Sequence, residues 1–528
     1  MMESNSVKYP IGIQNFESLR RNGFLYIDKT ALVYELANTG RYYFLGRPRR
    51  FGKSLLMSTL EAYFEGKREL FRGLAIERME TEWKTYPVLH LDLNAERYQA
   101  PEDLKNMLST ALSEWEKLYG HETYETTPSA RFMGVIRRAC EQTGREVVIL
   151  VDEYDKPLAL NLENEALQDE YRSQLKAFYG VMKSADRYIR FALLTGVTKF
   201  SKVSVFSDLN NIDDISMWGK YAEICGITEQ EIRTNLDAEV GALAAANGMT
   251  KDACYAELRR RYDGYHFHQD TVGMYNPFSL LNTLNKQEFK DYWYETGTPT
   301  VLIRLLQANH FDLSDVAHGE VSAQLMSRVD SVRENPLPML FQSGYLTIKG
   351  YDKEFDEYVL GFPNEEVERG FVGGLLPLYT NARPGMSQFS IAQFVKEVRR
   401  GQAEAFMKRL AAMMADTDYR IVGDSELYFQ NFLFIFFRLL GFYVEVERAT
   451  SDGRMDMVVK TSDYVYLLEF KLDASADAAL RQIEERHYAD AFAADARRLF
   501  RIGANFSLEH RCLDDWKVIS REREEQGM

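Results

Sequence analysis

Tyr42-Tyr43-Phe44-Leu45-Gly46-Arg47-Pro48-Arg49-Arg50-Phe51-Gly52-Lys53-Ser54 sets an apolar run, a basic loop and a Gly-Lys-Ser triplet in immediate succession. The run at 42–46 reads as a buried strand, and the triplet opens a helix that continues to about Phe64. A loop in that place, followed by a helix N-terminus, presents backbone N–H groups to anions. Lys53 would reach the outer phosphates of a bound polyphosphate, and Ser54 would ligate its Mg²⁺. The spacing departs from the usual phosphate-loop motif. The first glycine of that motif falls at Arg47, with Gly46 one position earlier.

A second stretch supplies the partner this loop needs. Glu146-Val147-Val148-Ile149-Leu150-Val151 is a largely apolar run, as expected of a central parallel strand covered on both faces. It ends in Asp152-Glu153-Tyr154-Asp155, which looks like a Walker B end. Asp152 would hold Mg²⁺ through water, and Glu153 would polarise a hydrolytic water as a catalytic residue. A strand at 190–194 ends at Thr195-Gly196-Val197-Thr198, where Thr195 or Thr198 would touch the γ-phosphate. Another strand at 87–92 completes a doubly wound α/β arrangement with its ligand at the C-terminal strand ends. The expected nucleotide-binding set is Gly46, Arg49, Arg50, Gly52, Lys53, Ser54, Leu55, Asp152 and Thr195. ATP with Mg²⁺ is the expected cofactor, with Mn²⁺ as a substitute.

A different chemistry stands near the C-terminal end. Gly453-Arg454-Met455-Asp456 is followed by Tyr466-Leu467-Leu468-Glu469-Phe470-Lys471. The spacing allows one β-hairpin, with Asp456 at the end or start of one strand. Glu469 and Lys471 project from the same face of the next, because strand side chains alternate. Two carboxylates would share a hard divalent cation while the lysine ammonium orients attacking water. The flanking apolar residues argue against a solvated edge.

This pattern resembles the PD-(D/E)XK nuclease superfamily over roughly residues 424–515. Glu426, in an apolar helix running to about Leu440, occupies a position where that family often places a third acid. The resemblance therefore implies a metal set of Glu426, Asp456 and Glu469, with Asp456, Glu469, Lys471 and Gln482 catalytic. A downstream helix is expected to carry both Gln482 and Tyr488, which would shape the site or contact the scissile strand. The proline of the family name is absent here, and Met455 precedes Asp456.

The N-terminal part resembles the AAA-ATPase-like family found joined to such nuclease domains in bacteria and archaea. The matching residues are Phe24-Leu25-Tyr26-Ile27-Asp28-Lys29-Thr30, the Arg47-to-Ser54 loop, Val151-Asp152-Glu153-Tyr154-Asp155 and Leu194-Thr195-Gly196-Val197. They continue through Tyr262-Asp263-Gly264-Tyr265, Tyr275-Asn276-Pro277-Phe278 and Trp293-Tyr294-Glu295-Thr296-Gly297-Thr298-Pro299. In that family the Arg-Pro-Arg-Arg-Phe-Gly-Lys-Ser loop is the normal form.

At 528 residues the chain is too long for one core. The expected division is an AAA-like P-loop domain at 1–224 and a helical lid with a winged-helix-like region at 225–385. A helical bridge at 386–420 and a restriction-endonuclease-like α/β domain at 421–528 follow. Amphipathic helices are read at 229–243 and 251–261. Strands at 341–348 and 357–363, after a helix, form a minimal winged-helix pattern that serves either DNA binding or domain connection. Arg497-Arg498 and residues 521–525 read as solvated helix faces, and His266 and His268 as structural or surface residues. The four cysteines lack metal or disulfide spacing and read as buried thiols of a reducing compartment. The apolar run 432–440 contains Arg438 and is too short for a bilayer, so a cytoplasmic protein without membrane attachment is expected. A net charge of −15 argues against bulk electrostatic coating of nucleic acid. The sequence thus points to a protein that binds and hydrolyses ATP and carries a Mg²⁺-dependent nuclease domain whose cleavage of nucleic acid ATP would gate, with DNA favoured and a homo-oligomer allowed. The alternative is an ATP-dependent switch whose C-terminal domain binds nucleic acid or a protein without cutting.

Overall fold

The computed structural model describes residues 7–199, 211–294, 303, 306, 311–313, 316, 319–326, 335–379, 386–415, 425–451, 454–510 and 512–520. The motif residues 295–299, Gly453 and residues 521–525 lie outside them. The chain forms two compact units, Met1–Gly297 with Val316–Val367, and Thr298–Asp315 with Glu368–Met528.

In the first unit, β1 (Tyr42–Gly46), β2 (Val88–Asp92), β3 (Val147–Asp152), β4 (Ile189–Gly196) and the short β5 (Asp213–Asp214) form one sheet. The order is β2-β3-β4-β1-β5 and every pairing is parallel. Parallel strands buried on both sides need apolar residues at successive positions, and all six residues of β3 are buried. Alternation divides those residues between two layers. Phe44, Leu91, Ile149, Val151 and Leu194 pack in one cluster with the helices Pro101–Tyr119, Pro128–Thr143 and Glu165–Ser184. Phe191, on the other face, meets Tyr43 and the Phe64 ring of the helix Lys53–Phe64. Helices therefore cover both faces. The register sets Gly46 beside Gly196, Leu45 beside Thr195, and Asp92 beside Asp152, so the polar strand ends form a row along one edge.

The expected helical segment 229–243 is two helices, Glu229–Asn235 and Asp237–Ala246. A small sheet holds β6 (Glu320–Ser322), β7 (Thr347–Asp352) and β8 (Glu357–Gly361) in the order β6-β8-β7. Here the expected strand over 341–348 needs correction. Phe341 and Gln342 end the helix Leu337–Gln342, and Gly344, at φ +87°, turns the chain before β7 begins. Cys225 and Cys254 are buried as expected, whereas Cys140 and Cys512 are only half-buried.

The second unit is built on β9 (Glu445–Ser451), β10 (Arg454–Lys460), β11 (Tyr464–Leu472), β12 (Arg498–Ser507) and β13 (Cys512–Ser520). Their order is β13-β12-β11-β10-β9, with β11 and β12 parallel and the other neighbours antiparallel. The helix Ala476–Glu485 makes the crossover between the two parallel strands. The apolar run 432–440 lies in the helix Ser425–Gly441, where Phe432, Ile435, Phe436 and Leu440 are buried. No helix among the described residues is long and apolar enough to cross a membrane. Two expectations change here. Arg497 and Arg498 are not on a helix: Arg498 begins β12 and Arg497 pairs with Asp495 at 2.6 Å. The helix bearing Gln482 stops at Glu485, and His487 at φ +55° turns the chain, so Tyr488 lies beyond it.

Gly503 decides how closely that crossover helix lies on the sheet. It pairs with Glu469 in the β11–β12 register. A Cβ there would stand 2.3 Å from the Ala476 carbonyl oxygen and 2.8 Å from Leu480 Cγ. The absent side chain lets the helix sit against the strand pair and brings Gln482 to Lys471. Gly503→Ala should therefore destabilise the second unit by about 1–3 kcal/mol through overpacking. Gly373→Ala, with open space around its Cβ, should leave it unchanged or slightly raised. Thermal denaturation of the full chain measures both.

Candidate functional site

The first site lies at the C-terminal edge of the parallel sheet. Gly52 caps the helix Lys53–Phe64 at φ +96°, a conformation that only glycine adopts without strain. The chain between β1 and that helix wraps around Lys53, which is 4% exposed. Its Nζ donates to the carbonyl oxygens of Arg47 (3.1 Å) and Pro48 (3.4 Å), and lies 3.4 Å from Glu153 Oε1. Glu153 follows β3 directly and holds φ +52°, an uncommon backbone for glutamate. Burial raises the affinity of its carboxyl for a proton, but Lys53 and then Lys156 and Arg49 hold it below the ordinary value. Asp152, also buried, accepts from the Thr195 hydroxyl at 2.5 Å and from the Glu153 N–H at 3.1 Å. Asp155 accepts from the N–H groups of Val197 and Thr198, while burial and the Glu153 charge push its carboxyl up to about 7.

A cavity of about 350 Å³ opens at this edge. Arg49, Arg50, Gly52, Lys53, Ser54 and Leu55 of the expected set line it, with Glu153. Four cationic side chains there, Arg49, Arg50, Lys53 and Lys156, suit a polyphosphate in charge, and Ser54 lines the cavity beside them, whereas Asp152 is buried and is not among the lining residues. The cavity continues into an apolar pocket of about 100 Å³ lined by Tyr26, Ile27, Leu55, Ile224, Ile227 and Leu281 among others. Gly46 and Thr195 stand differently from expectation. The Gly46 N–H is committed to Ser216 Oγ at 2.7 Å, and Gly46 is not among the residues lining this cavity. Thr195 is fully buried with its hydroxyl on Asp152, and Thr198 gives its N–H to Asp155.

Arg47 explains the irregular loop. It stands where a glycine is usual, yet its guanidinium turns inward, 1% exposed, and donates to the carbonyls of Gly46, Ser216, Tyr221 and Ala222. It also lies 3.9 Å from the centre of the Phe267 ring, and burial lowers its pKa to about 10. Sequence reasoning missed this role, and it missed Lys156, Asn94 and the segment 10–14 on the cavity wall. The Tyr275-Asn276-Pro277-Phe278 motif could have marked Pro277 and Phe278, which line the same wall. Asn276 caps their helix by accepting from the Phe278 and Ser279 N–H groups.

The second site lies in the other unit. Asp456 and Glu469 are direct partners in the antiparallel β10–β11 register. The Asp456 side chain lies outside the described residues. Glu469 is fully buried; its Oε1 accepts from Lys471 Nζ at 2.8 Å, and its Oε2 has no hydrogen-bond partner among the described residues. Lys471 Nζ also donates to Gln482 Oε1. A buried carboxylate oxygen without a donor carries a desolvation cost that a cation would remove. Glu469, with Asp456 opposite it in register, therefore fits a divalent metal. Glu426 is exposed on the first turn of its helix, where Gln430 Nε2 approaches it at 3.5 Å. No three-ligand group joining it to Glu469 is present among the described residues. Tyr488 packs against the core cluster of Val465, Leu467 and Ile483. The three-ligand group that is present, Glu116, His121 and Glu125, belongs to the first unit and is already matched by Arg131 and Arg138.

Residues 10–206 match the family described as Predicted AAA-ATPase, and residues 424–516 match the PD-(D/E)XK nuclease superfamily. A protein of Azotobacter chroococcum mcd 1, described as "Uncharacterized protein in vnfD 5'region", is 35% identical over 97% of this chain and 99% of its own length. The chain belongs to the AAA-ATPase-like proteins that carry a C-terminal PD-(D/E)XK nuclease-superfamily domain. Among solved structures, the Aeropyrum pernix ORC2 protein in its ADPNP–ADP complexes aligns over 71% of this chain and 97% of its own. At 10% identity and a TM-score of 0.18, that likeness carries no argument.

The Thr195–Asp152 bond gives a direct prediction for this AAA-ATPase-like unit. Thr195→Val keeps the volume but removes a donor to a buried carboxylate. It should lower stability by about 1–3 kcal/mol in urea denaturation.

Proposed function

We propose that the first unit binds ATP with Mg²⁺ and hydrolyses it, and that the second unit is a metal-dependent nuclease. The observation that carries the nuclease reading is Glu469, a buried carboxylate with one oxygen on Lys471 and the other without a hydrogen-bond donor among the described residues. A divalent cation held by Asp456 and Glu469 would polarise the phosphodiester and acidify bound water. Lys471 holds the remaining oxygen of Glu469 and orients the attacking water. Gln482 fixes the lysine from the crossover helix. Glu426 is the third acid that the family resemblance offers for this metal. DNA is the favoured substrate.

In the first unit, the phosphates lie along the cavity with Arg49, Arg50, Lys53 and Lys156, and the base enters the adjoining apolar pocket. Asp152 and Ser54 hold the Mg²⁺, and Glu153 orients the hydrolytic water once a phosphate has taken Lys53 from it. ATP state gates cleavage, a reading supported by both chemistries residing on one chain.

The test is a cleavage assay on single- and double-stranded DNA and RNA with Mg²⁺ or Mn²⁺, with and without ATP. Wild type should cut; Glu469→Ala should not; Lys53→Ala should cut but lose the response to ATP. Intact ATP binding with no cutting on any substrate would instead favour the non-cleaving switch.

A further inference from the structure

The motif that begins at Trp293 is absorbed by neither site. Its first side chain nevertheless reaches the phosphate loop. The indole Nε1–H of Trp293 donates to the Arg49 carbonyl oxygen at 2.9 Å. The loop's other anchors are comparable. Lys53 takes the carbonyls of Arg47 and Pro48, and the Gly226 N–H donates to the Phe51 carbonyl at 3.2 Å. Trp293 thus supplies the anchor at the centre of the loop, just before Arg50, whose φ of +67° is uncommon for a residue with a side chain.

Trp293 is itself held in place. It is 5% exposed, and its ring lies against Tyr345 with centroids 5.4 Å apart. Its backbone N–H donates to Glu366 Oε1 at 2.6 Å. Glu366 is buried in the first turn of the helix Glu365–Tyr379. A rigid donor aimed at one carbonyl has a definite effect on the backbone. Because the peptide is planar and trans, fixing the Arg49 oxygen also fixes the Arg50 N–H in the opposite direction.

We propose that Trp293 is a positioning residue for the phosphate loop, its indole N–H holding the Arg49–Arg50 peptide so that this segment is set in advance for phosphate. The proposal rests on the reading that the loop binds nucleotide. Pre-ordering lowers the conformational cost of binding, so loss of the indole N–H should weaken nucleotide affinity more than it weakens the fold. The Arg50 guanidinium, 4.9 Å from the centre of the Phe278 ring on the cavity wall, is held in the same segment.

The experiment uses the full chain with Trp293→Phe, which keeps an aromatic ring against Tyr345 and removes the donor. Equilibrium binding of a fluorescent ATP analogue with Mg²⁺ should weaken about five- to tenfold, while the ligand-free protein still unfolds cooperatively at a modestly lower melting temperature. Wild-type affinity in a folded Trp293→Phe protein would overturn the proposal. If that variant does not fold, hydrogen exchange on the unsubstituted chain decides: the peptides containing Trp293 and Arg49–Arg50 should both be protected before nucleotide is added. Free exchange of the Arg49–Arg50 peptide in the ligand-free chain, with protection arising only on nucleotide binding, would overturn it equally. Absence of nucleotide binding by the unsubstituted chain would remove the underlying reading, an outcome distinct from normal binding by the variant.

Discussion

The ammonium of Lys53 is the charge around which the first unit's site is arranged. A cation with 4% exposure must be matched, because an unpaired buried charge costs several kcal/mol. Two loop carbonyls and Glu153 supply the match. That requirement folds the loop back over the start of its helix and ties it to the end of β3. It also accounts for the positive φ at Glu153, since the chain must turn sharply after Asp152 to present the carboxylate to the lysine. Thr195 then secures Asp152 from the neighbouring strand, and Arg47 secures the loop from beneath through four carbonyls. A nucleotide phosphate would compete with Glu153 for Lys53, releasing the glutamate toward water at the moment it is needed.

The second unit solves a related problem with the signs reversed. Here the buried group is the Glu469 carboxylate, and Lys471 from the same strand face satisfies one of its oxygens. The lysine in turn needs an acceptor, which Gln482 provides only because Gly503 lets the crossover helix come close. The chemistry of the site is thus tied to the packing of helix on sheet. The acidic character of the whole chain does not oppose this, because a metal would neutralise the site locally.

Much of this was legible in the amino-acid sequence, for a physical reason. Strands buried on both faces announce themselves as apolar runs, and the polar residues that end them, as at Asp152 and Thr195, mark the sheet edge at which the cavity opens. Alternation along Tyr466-Leu467-Leu468-Glu469-Phe470-Lys471 placed the acid and the lysine on one face, and β11 has that form. What was not legible depends on contacts between distant parts of the chain. Arg47 reads in the sequence only as a departure from the usual glycine, because its partners at 216–222 leave no local trace. Trp293 and Arg49 are 244 positions apart. The strand read over 341–348 failed because its apolar residues are shared between a helix end and a strand start, with Gly344 as the turn. Tyr488 was read onto a helix that a left-handed residue, His487, had already ended.

The central claim is that Glu153 is the counterion a nucleotide must displace from Lys53. Equilibrium binding of ATP and Mg²⁺ to Glu153→Gln, compared with wild type, tests it most directly. Removal of the competing charge should leave affinity equal to wild type or tighter, with hydrolysis lost. Binding weakened by Glu153→Gln to the same degree as by Lys53→Ala would contradict the account.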